Sequence, residues 1–178
     1  MNKFFYSYDD IHRAIAVLAD KIRHSGQNFD LMLAIGGGGL IPARILRSFL
    51  NIPVYSVTLA YYDAEDRPTD CPHKVQWLDE SMAAKLRGKR VLVVDEVDDS
   101  RVTLAYCLNE LKATGIDQLG VAVLHEKQKT KQAELPPGLP YFSAITVGED
   151  WIVYPWDATD IDAHNRDITA QQHERTTQ

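Results

Sequence analysis

The stretch that most constrains this chain is residues 90–104, RVLVVDEVDDSRVTL. Residues 90–94 are mostly β-branched and apolar, the composition of a parallel strand buried on both faces. Four carboxylates follow within five positions, Asp95, Glu96, Asp98 and Asp99. A short polar turn, residues 100–103, then leads into a helical pattern. A strand ending in acids, a hydroxyl-bearing turn and a helix start are the parts needed to hold a phosphorylated, polyhydroxylated ligand.

The rest of the chain supplies elements that can surround such a strand. Asp9 or Asp10 can cap a helix whose apolar face is Ile11, Ile15, Leu18 and Ile22, with Gly26 as its stop. Residues 31–35 read as a short strand, cut off by the glycine run 36–39. Pro42 sits early in a second helix, LIPARILRSFL, where its missing N–H does little harm. Residues 53–60 form the next strand. Residues 61–73, with Pro68, Pro72 and several charges, lack apolar periodicity and read as a long loop, the kind that serves as a lid or stays disordered. A short helix at 79–86 precedes the central strand. The helix at 102–113 ends at Gly115, and 119–124 is another buried strand. Residues 126–135 read as a basic loop, 142–147 and 151–153 as final strands, and 157–164 as the start of a closing helix. The last eight or so residues read as a frayed tail. This order predicts an α/β fold in one domain of 178 residues, a mostly parallel twisted sheet flanked by helices on both faces. The loops after its strands should converge on one edge of the sheet, where ligands bind in such folds.

Acids as dense as Asp95 to Asp99 repel one another and call for a cation or a hydroxyl-rich partner, unless they form a solvated loop that merely caps a helix. Asp95 and Glu96 suit the two hydroxyls of a ribose or the water around Mg²⁺. Ser100 and Thr103, with the N–H groups of a helix start, suit a phosphate dianion, to which the helix dipole adds about 0.3–1 kcal/mol. No GxxxxGK[ST] motif occurs, so this is not a nucleotide P-loop.

Residues 93–104, VVDEVDDSRVTL, resemble the 5-phosphoribosyl 1-pyrophosphate (PRPP) signature of type I phosphoribosyltransferases. One position departs from it: Arg101 stands where the family has glycine. By this resemblance Asp95 and Glu96 would bind the ribose hydroxyls with Mg²⁺ nearby. Asp99 would be the catalytic acid/base under the purine, and Ser100, Arg101, Val102 and Thr103 would wrap the 5-phosphate. Arg101 impedes close backbone approach but adds a charge that can bind phosphate directly. Gly37, Gly38 and Gly39 look like the family's pyrophosphate loop. Gly37 falls where some relatives carry Arg or Lys, so the charge for pyrophosphate must come from elsewhere; Arg44 is one source, or simply a surface arginine. Residues 61–76 correspond to the family's flexible hood, on which Arg67 and Lys74 are the candidate cations if they are not merely solvated.

Residues 151–157, WIVYPWD, resemble the WI-x-x-PWD segment of bacterial xanthine-guanine phosphoribosyltransferases, and the resemblance extends over about residues 6–162. It implies a purine-recognition segment at about 125–162. Trp151 would stack on the base, Ile152 would contact its edge through the backbone, and Lys127 would donate to a 6-oxo group. Lys129 and Lys131 are nearby rivals, read as solvated. Trp156 reads as core, and Asp157 as a second Mg²⁺ ligand or a reader of the purine 2-substituent.

The implied activity is transfer from PRPP to hypoxanthine, guanine or xanthine, giving a nucleoside monophosphate and pyrophosphate with Mg²⁺ as cofactor. The alternative is a non-catalytic PRPP- or nucleotide-sensing regulator on the same fold. A homo-oligomer, dimer or tetramer, is also implied. With 45% hydrophobic and 25% charged residues and a net charge of -6, the chain has the make-up of a globular protein and argues against nucleic acid as partner. Cys71 and Cys107 make no metal or disulfide spacing, and no apolar run is long enough for a membrane span, so a cytoplasmic protein is expected.

Overall fold

The computed structural model describes residues 2–62 and 67–176. The chain runs β1 (Lys3–Phe5), α1 (Tyr8–His24), β2 (Leu31–Gly36), α2 (Leu40–Leu50), β3 (Val54–Tyr62), β4 (Pro68–Gln76) and α3 (Glu80–Leu86). It continues through β5 (Val91–Asp98), α4 (Val102–Ala113), β6 (Leu119–Lys127), β7 (Tyr141–Val147) and β8 (Trp151–Val153), then a single 3₁₀ turn, Pro155–Asp157, and α5 (Ile161–Thr176).

Alternation along the apolar strands sets the layers. Met32 and Ala34 of β2, with Leu92 and Val94 of β5, face one core built on Ile11, Ile15 and Leu18 of α1 and Leu46 of α2. Leu33 and Ile35, with Val91 and Val93, face a second core built on Leu86 of α3 and Leu104, Leu108 and Leu111 of α4. Both faces of these strands are therefore covered by helices, as their continuous apolar composition requires. The sheet order is β4-β3-β2-β5-β6-β7, and only the β3–β4 pair is antiparallel. The mostly parallel α/β architecture expected from the sequence is the one observed.

Several local readings need correction. Much of residues 61–76, read as loop, is strand: β4 lies antiparallel to β3, while residues 63–66 lie outside the described residues. Proline is tolerated there because β4 is an edge strand with one neighbour. The cap of α1 is Ser7, two positions before the first of the expected aspartates: its hydroxyl accepts from Asp10 N–H at 3.0 Å while the Asp10 carboxylate accepts from Ser7 N–H at 2.9 Å. β8 leaves the main sheet and pairs with β1, a strand the sequence pattern did not disclose. The expected frayed tail is largely helix α5, tied to β1 where the Gln171 side chain accepts from Phe5 N–H at 2.8 Å. The basic loop expected from residue 126 starts later, because β6 runs on to Lys127.

Candidate active site

The carboxyl ends of β2, β3, β5 and β6 and the start of β8 open onto one cleft of about 450 Å³. Gly37, Gly38, Asp95, Glu96, Asp99, Ser100, Arg101 and Thr103 line it. Lys127, Trp151, Ile152 and Asp157 line the same cleft. The residues picked from sequence for ribose phosphate and for purine thus share a cavity. Gly39, Val102, Arg67 and Lys74 are not among its lining residues.

Two helix starts face this cleft, and both lack a side-chain cap: α2 begins at Gly39 and α4 at Arg101. The other helices are capped, α1 by Ser7, α3 by Asp79 and α5 by Asp160. The first-turn N–H groups of α4, beside Ser100 and Thr103, are therefore left for an anion. Gly39 has a packing role: a Cβ there would meet Ile35 O at 2.6 Å and Val94 O at 2.7 Å, so only glycine lets α2 start against β2 and β5. Gly38 lies under Glu96, whose carboxyl carbon would sit 2.2 Å from a Cβ at that position.

The acids divide into two groups. Asp98, 1% exposed, points inward. Its Oδ2 accepts from Arg101 Nε at 2.9 Å and Nη2 at 2.6 Å and from the Tyr141 hydroxyl at 2.8 Å. Arg101 also reaches Glu126 Oε1 at 3.3 Å, so its guanidinium is held by carboxylates rather than standing free for a phosphate. Its backbone keeps the conformation a glycine would supply, with φ +73°. Asp99 lies 2.7 Å from Lys129 Nζ and 3.6 Å from Lys127 Nζ. Asp95, Glu96 and Asp157 pair with no cation among the described residues. Burial first, and then the Glu96 charge, push the Asp95 and Asp157 carboxyls up from the usual range.

Lys127 and Trp151 lie together in the lining. Lys127 is 6% exposed, and its Nζ lies 5.7 Å from the centre of the Trp151 ring. The indole is 56% exposed, a platform open to the cleft. Trp156 stacks on Tyr154 at 4.4 Å and packs against the core, as its sequence reading expected.

Lys131 is not the solvated rival that its sequence context implied. Its Nζ donates to the Asp98, Asp99 and Lys127 carbonyls at 2.7, 3.0 and 2.9 Å, which joins the ends of β5 and β6. Lys129 likewise engages Asp99. Lys74 does not reach the cleft: it pairs with Glu110 on α4 and lies 4.8 Å over the Trp77 ring. Arg67 is exposed at the start of β4. Sequence reasoning gave no role to Tyr61 at the end of β3 or to Tyr154, both of which line the cleft. An aromatic at a strand end carries no pattern that separates a site wall from core.

Comparison with known proteins accounts for this arrangement. The phosphoribosyl transferase domain family matches residues 7–160. The hypoxanthine-guanine phosphoribosyltransferase of Saccharomyces cerevisiae is 40% identical, covering 93% of this chain and 90% of its own. Xanthine phosphoribosyltransferase 1 of the same yeast is 37% identical over 97% and 98%. A crystal structure of a hypothetical protein from Neisseria gonorrhoeae with bound ppGpp is 59% identical, with a TM-score of 0.88 over 96% of this chain and 97% of that one. The acid-ended β5, the uncapped α4 and the cleft they open onto are those of a chain that belongs to the phosphoribosyltransferase family.

Proposed function

We propose that this protein transfers the 5-phosphoribosyl group of PRPP to a 6-oxopurine, hypoxanthine, guanine or xanthine, giving the nucleoside 5-monophosphate and pyrophosphate. The observation that carries this reading is the shared cleft: the Lys127 ammonium beside the exposed Trp151 ring, lining the same cavity as Asp95, Glu96 and the start of α4. Trp151 offers a stacking face and Lys127 a donor for an oxo group, which disfavours adenine. Asp95 and Glu96 take the ribose hydroxyls, the α4 turn takes the 5-phosphate, and the backbone around Gly37 and Gly38 takes pyrophosphate. In the reaction the bond from ribose C1 to pyrophosphate breaks, a C–N bond to the base forms, and Asp99 accepts the proton the base gives up. The Lys127 and Lys129 ammoniums lie beside the Asp99 carboxylate, at 3.6 and 2.7 Å.

The acids also fit Mg²⁺. Burial first, and then the Glu96 charge, raises the proton affinity of both Asp95 and Asp157, and a divalent cation would relieve the crowding of negative charge. Among the described residues no three His, Cys, Asp or Glu side chains form an ion cage. That suits an ion held by one or two carboxylates, with waters and substrate oxygens completing its shell. Asp95 and Glu96 would hold it, with Asp157 left for a second ion or for the purine 2-substituent, and when bound it would neutralise charge on the leaving pyrophosphate.

The β3–β4 arm, residues 61–76, is read as the hood that excludes water from the reacting sugar. The purine-recognition segment is read as about residues 125–162, within a single domain. A homo-oligomer is expected. Among the described residues no helix is long and apolar enough to cross a membrane. The relatives named for a reaction are transferases, which favours catalysis over a purely regulatory role. The ppGpp bound by the Neisseria protein supports recognition of guanine and phosphate by this fold.

The test is pyrophosphate release with Mg²⁺, PRPP and each of hypoxanthine, guanine, xanthine and adenine. Turnover with at least one 6-oxopurine and none with adenine is expected, abolished in an Asp95→Asn, Glu96→Gln variant that keeps its circular dichroism spectrum. Release with no base would overturn the reading in favour of the regulator, and turnover of adenine alone would overturn the purine assignment.

A further inference from the structure

Behind the cleft lies a buried polar chain to which the roles above assign nothing. His125, near the end of β6, is 0% exposed and lies in ring contact with Tyr6 and Tyr154. Its Nδ1 is 2.9 Å from the Tyr154 hydroxyl. That hydroxyl in turn donates to the main-chain carbonyl of Glu96 at 3.2 Å. The Glu96 N–H is held from the other side by Asp95 Oδ1 at 3.0 Å. Glu96 is thus fixed at both ends of its own residue, with its carboxylate resting on Gly38.

A phenol has one proton, and the Glu96 carbonyl can only accept. The Tyr154 proton therefore goes to Glu96, and the second contact is filled by an N–H on His125 Nδ1 donating to the phenol oxygen. This leaves a lone pair on His125 Nε2, which is buried without a partner. The opposite tautomer would orphan a buried N–H and draw the Tyr154 proton away from Glu96, two losses in place of one unfilled acceptor.

We propose that His125 and Tyr154 are positioning residues for the transfer reaction, setting the Glu96 main chain, and with it the ribose-binding carboxylate, from the segment that carries Trp151. The inference rests on the function proposed above. Tyr154 follows β8 by one residue, so the strand that presents the base platform also holds the acid that meets the sugar. Burial keeps the imidazole neutral, its pKa lowered to about 4, so an Nδ1–H of the neutral ring meets the phenol oxygen.

The test combines kinetics with nitrogen NMR. Tyr154→Phe removes only the hydroxyl and should raise the PRPP KM about three- to tenfold, the equivalent of one hydrogen bond, while the purine KM changes less than twofold. His125→Leu should reproduce that rise. His125→Asn, which puts an amide N–H where Nδ1–H was, should recover most of it, and the Tyr154→Phe, His125→Leu double variant should be no worse than the poorer single. A packing role alone would lower the melting temperature and the active fraction without moving the PRPP KM. An unchanged PRPP KM in Tyr154→Phe, or a His125→Asn as impaired as His125→Leu, would overturn the proposal. Labelled wild-type protein should show His125 protonated on Nδ1, and Tyr154→Phe should shift the Glu96 signals. A proton on Nε2 would overturn the proposal even if no base is turned over, a result that by itself would count against the transferase reading.

Discussion

Burial of His125 makes a prediction about stability that needs no substrate. The folded protein holds this imidazole neutral, with a pKa lowered from 6.5 to about 4 because burial penalises the charged ring. The unfolded chain takes up a proton as pH falls through 6.5, whereas the folded chain does so only near 4. Between these values the unfolded state binds more protons, so stability falls as pH falls. One pKa unit corresponds to about 1.4 kcal/mol, and the linkage amounts to about 2 kcal/mol lost between pH 7.5 and pH 5. The rings in contact with His125 are those of Tyr6 and Tyr154, neither of which brings a carboxylate or ammonium to the imidazole. Carboxylates elsewhere titrate too, so the measurement is a difference: urea unfolding of wild type and His125→Asn at pH 7.5, 6 and 5, at one protein concentration so that any assembly contributes equally. The stability of wild type relative to the variant should fall by about 2 kcal/mol from pH 7.5 to pH 5. Parallel profiles, with the difference constant to within about 0.5 kcal/mol, would refute the burial argument.

Three further outcomes are expected. Arg101→Gly relieves a positive φ at about 1 kcal/mol but strips the buried Asp98 carboxylate of its guanidinium, and urea unfolding should show a net loss of about 2 kcal/mol; a variant as stable as wild type would show that the ion pair contributes nothing. Lys74→Met should keep the PRPP KM within twofold and lose at most about 1 kcal/mol, since the side chain pairs with Glu110 at the surface; a tenfold rise in that KM would restore Lys74 to the hood. Trp151→Ala should raise the purine KM about ten- to a hundredfold and leave the melting temperature within about 2 °C; an unchanged purine KM would remove Trp151 from the base site.

What could be read from the sequence follows from the range of the forces involved. β5 and α4 were legible because their signals are local: an apolar run, an acid cluster and a helical period within a few residues of one another. β1 was not legible, since three residues become a strand only by pairing with Trp151, Ile152 and Val153. β4 was hidden by Pro68, Pro72 and its charges, which an edge strand tolerates and a central one does not. Lys127 was picked by its place at the end of a strand, but its neighbours were misjudged for want of geometry. Lys131 becomes a half-buried clamp only because three carbonyls from two strand ends converge on it. Tyr154 escaped notice for the same reason, its function lying in one contact with Glu96 across 58 residues of chain.

The acid cluster shows how far composition alone can carry an argument. Four carboxylates in five positions announce a cation or a polyhydroxylated ligand without saying which of them meet it. The fold separates them: Asp98 pairs with Arg101 and Lys131 and accepts from Tyr141, and Asp99 faces Lys127 and Lys129, while Asp95 and Glu96 have no protein cation among the described residues. Protein lysines and arginines are thus present close to the uncompensated acids but directed elsewhere, so the surplus charge is local to the Asp95 and Glu96 end of the cleft. Arg101 belongs to the same division. Glycine at its position would adopt the left-handed turn without strain, yet it would leave Asp98 buried beside Glu126 with one fewer cation. The side chain that strains the turn is the one that neutralises the acid beneath it. Arg101 therefore keeps the left-handed backbone that a glycine would supply while tying the turn before α4 to β6 and β7 through Glu126 and Tyr141.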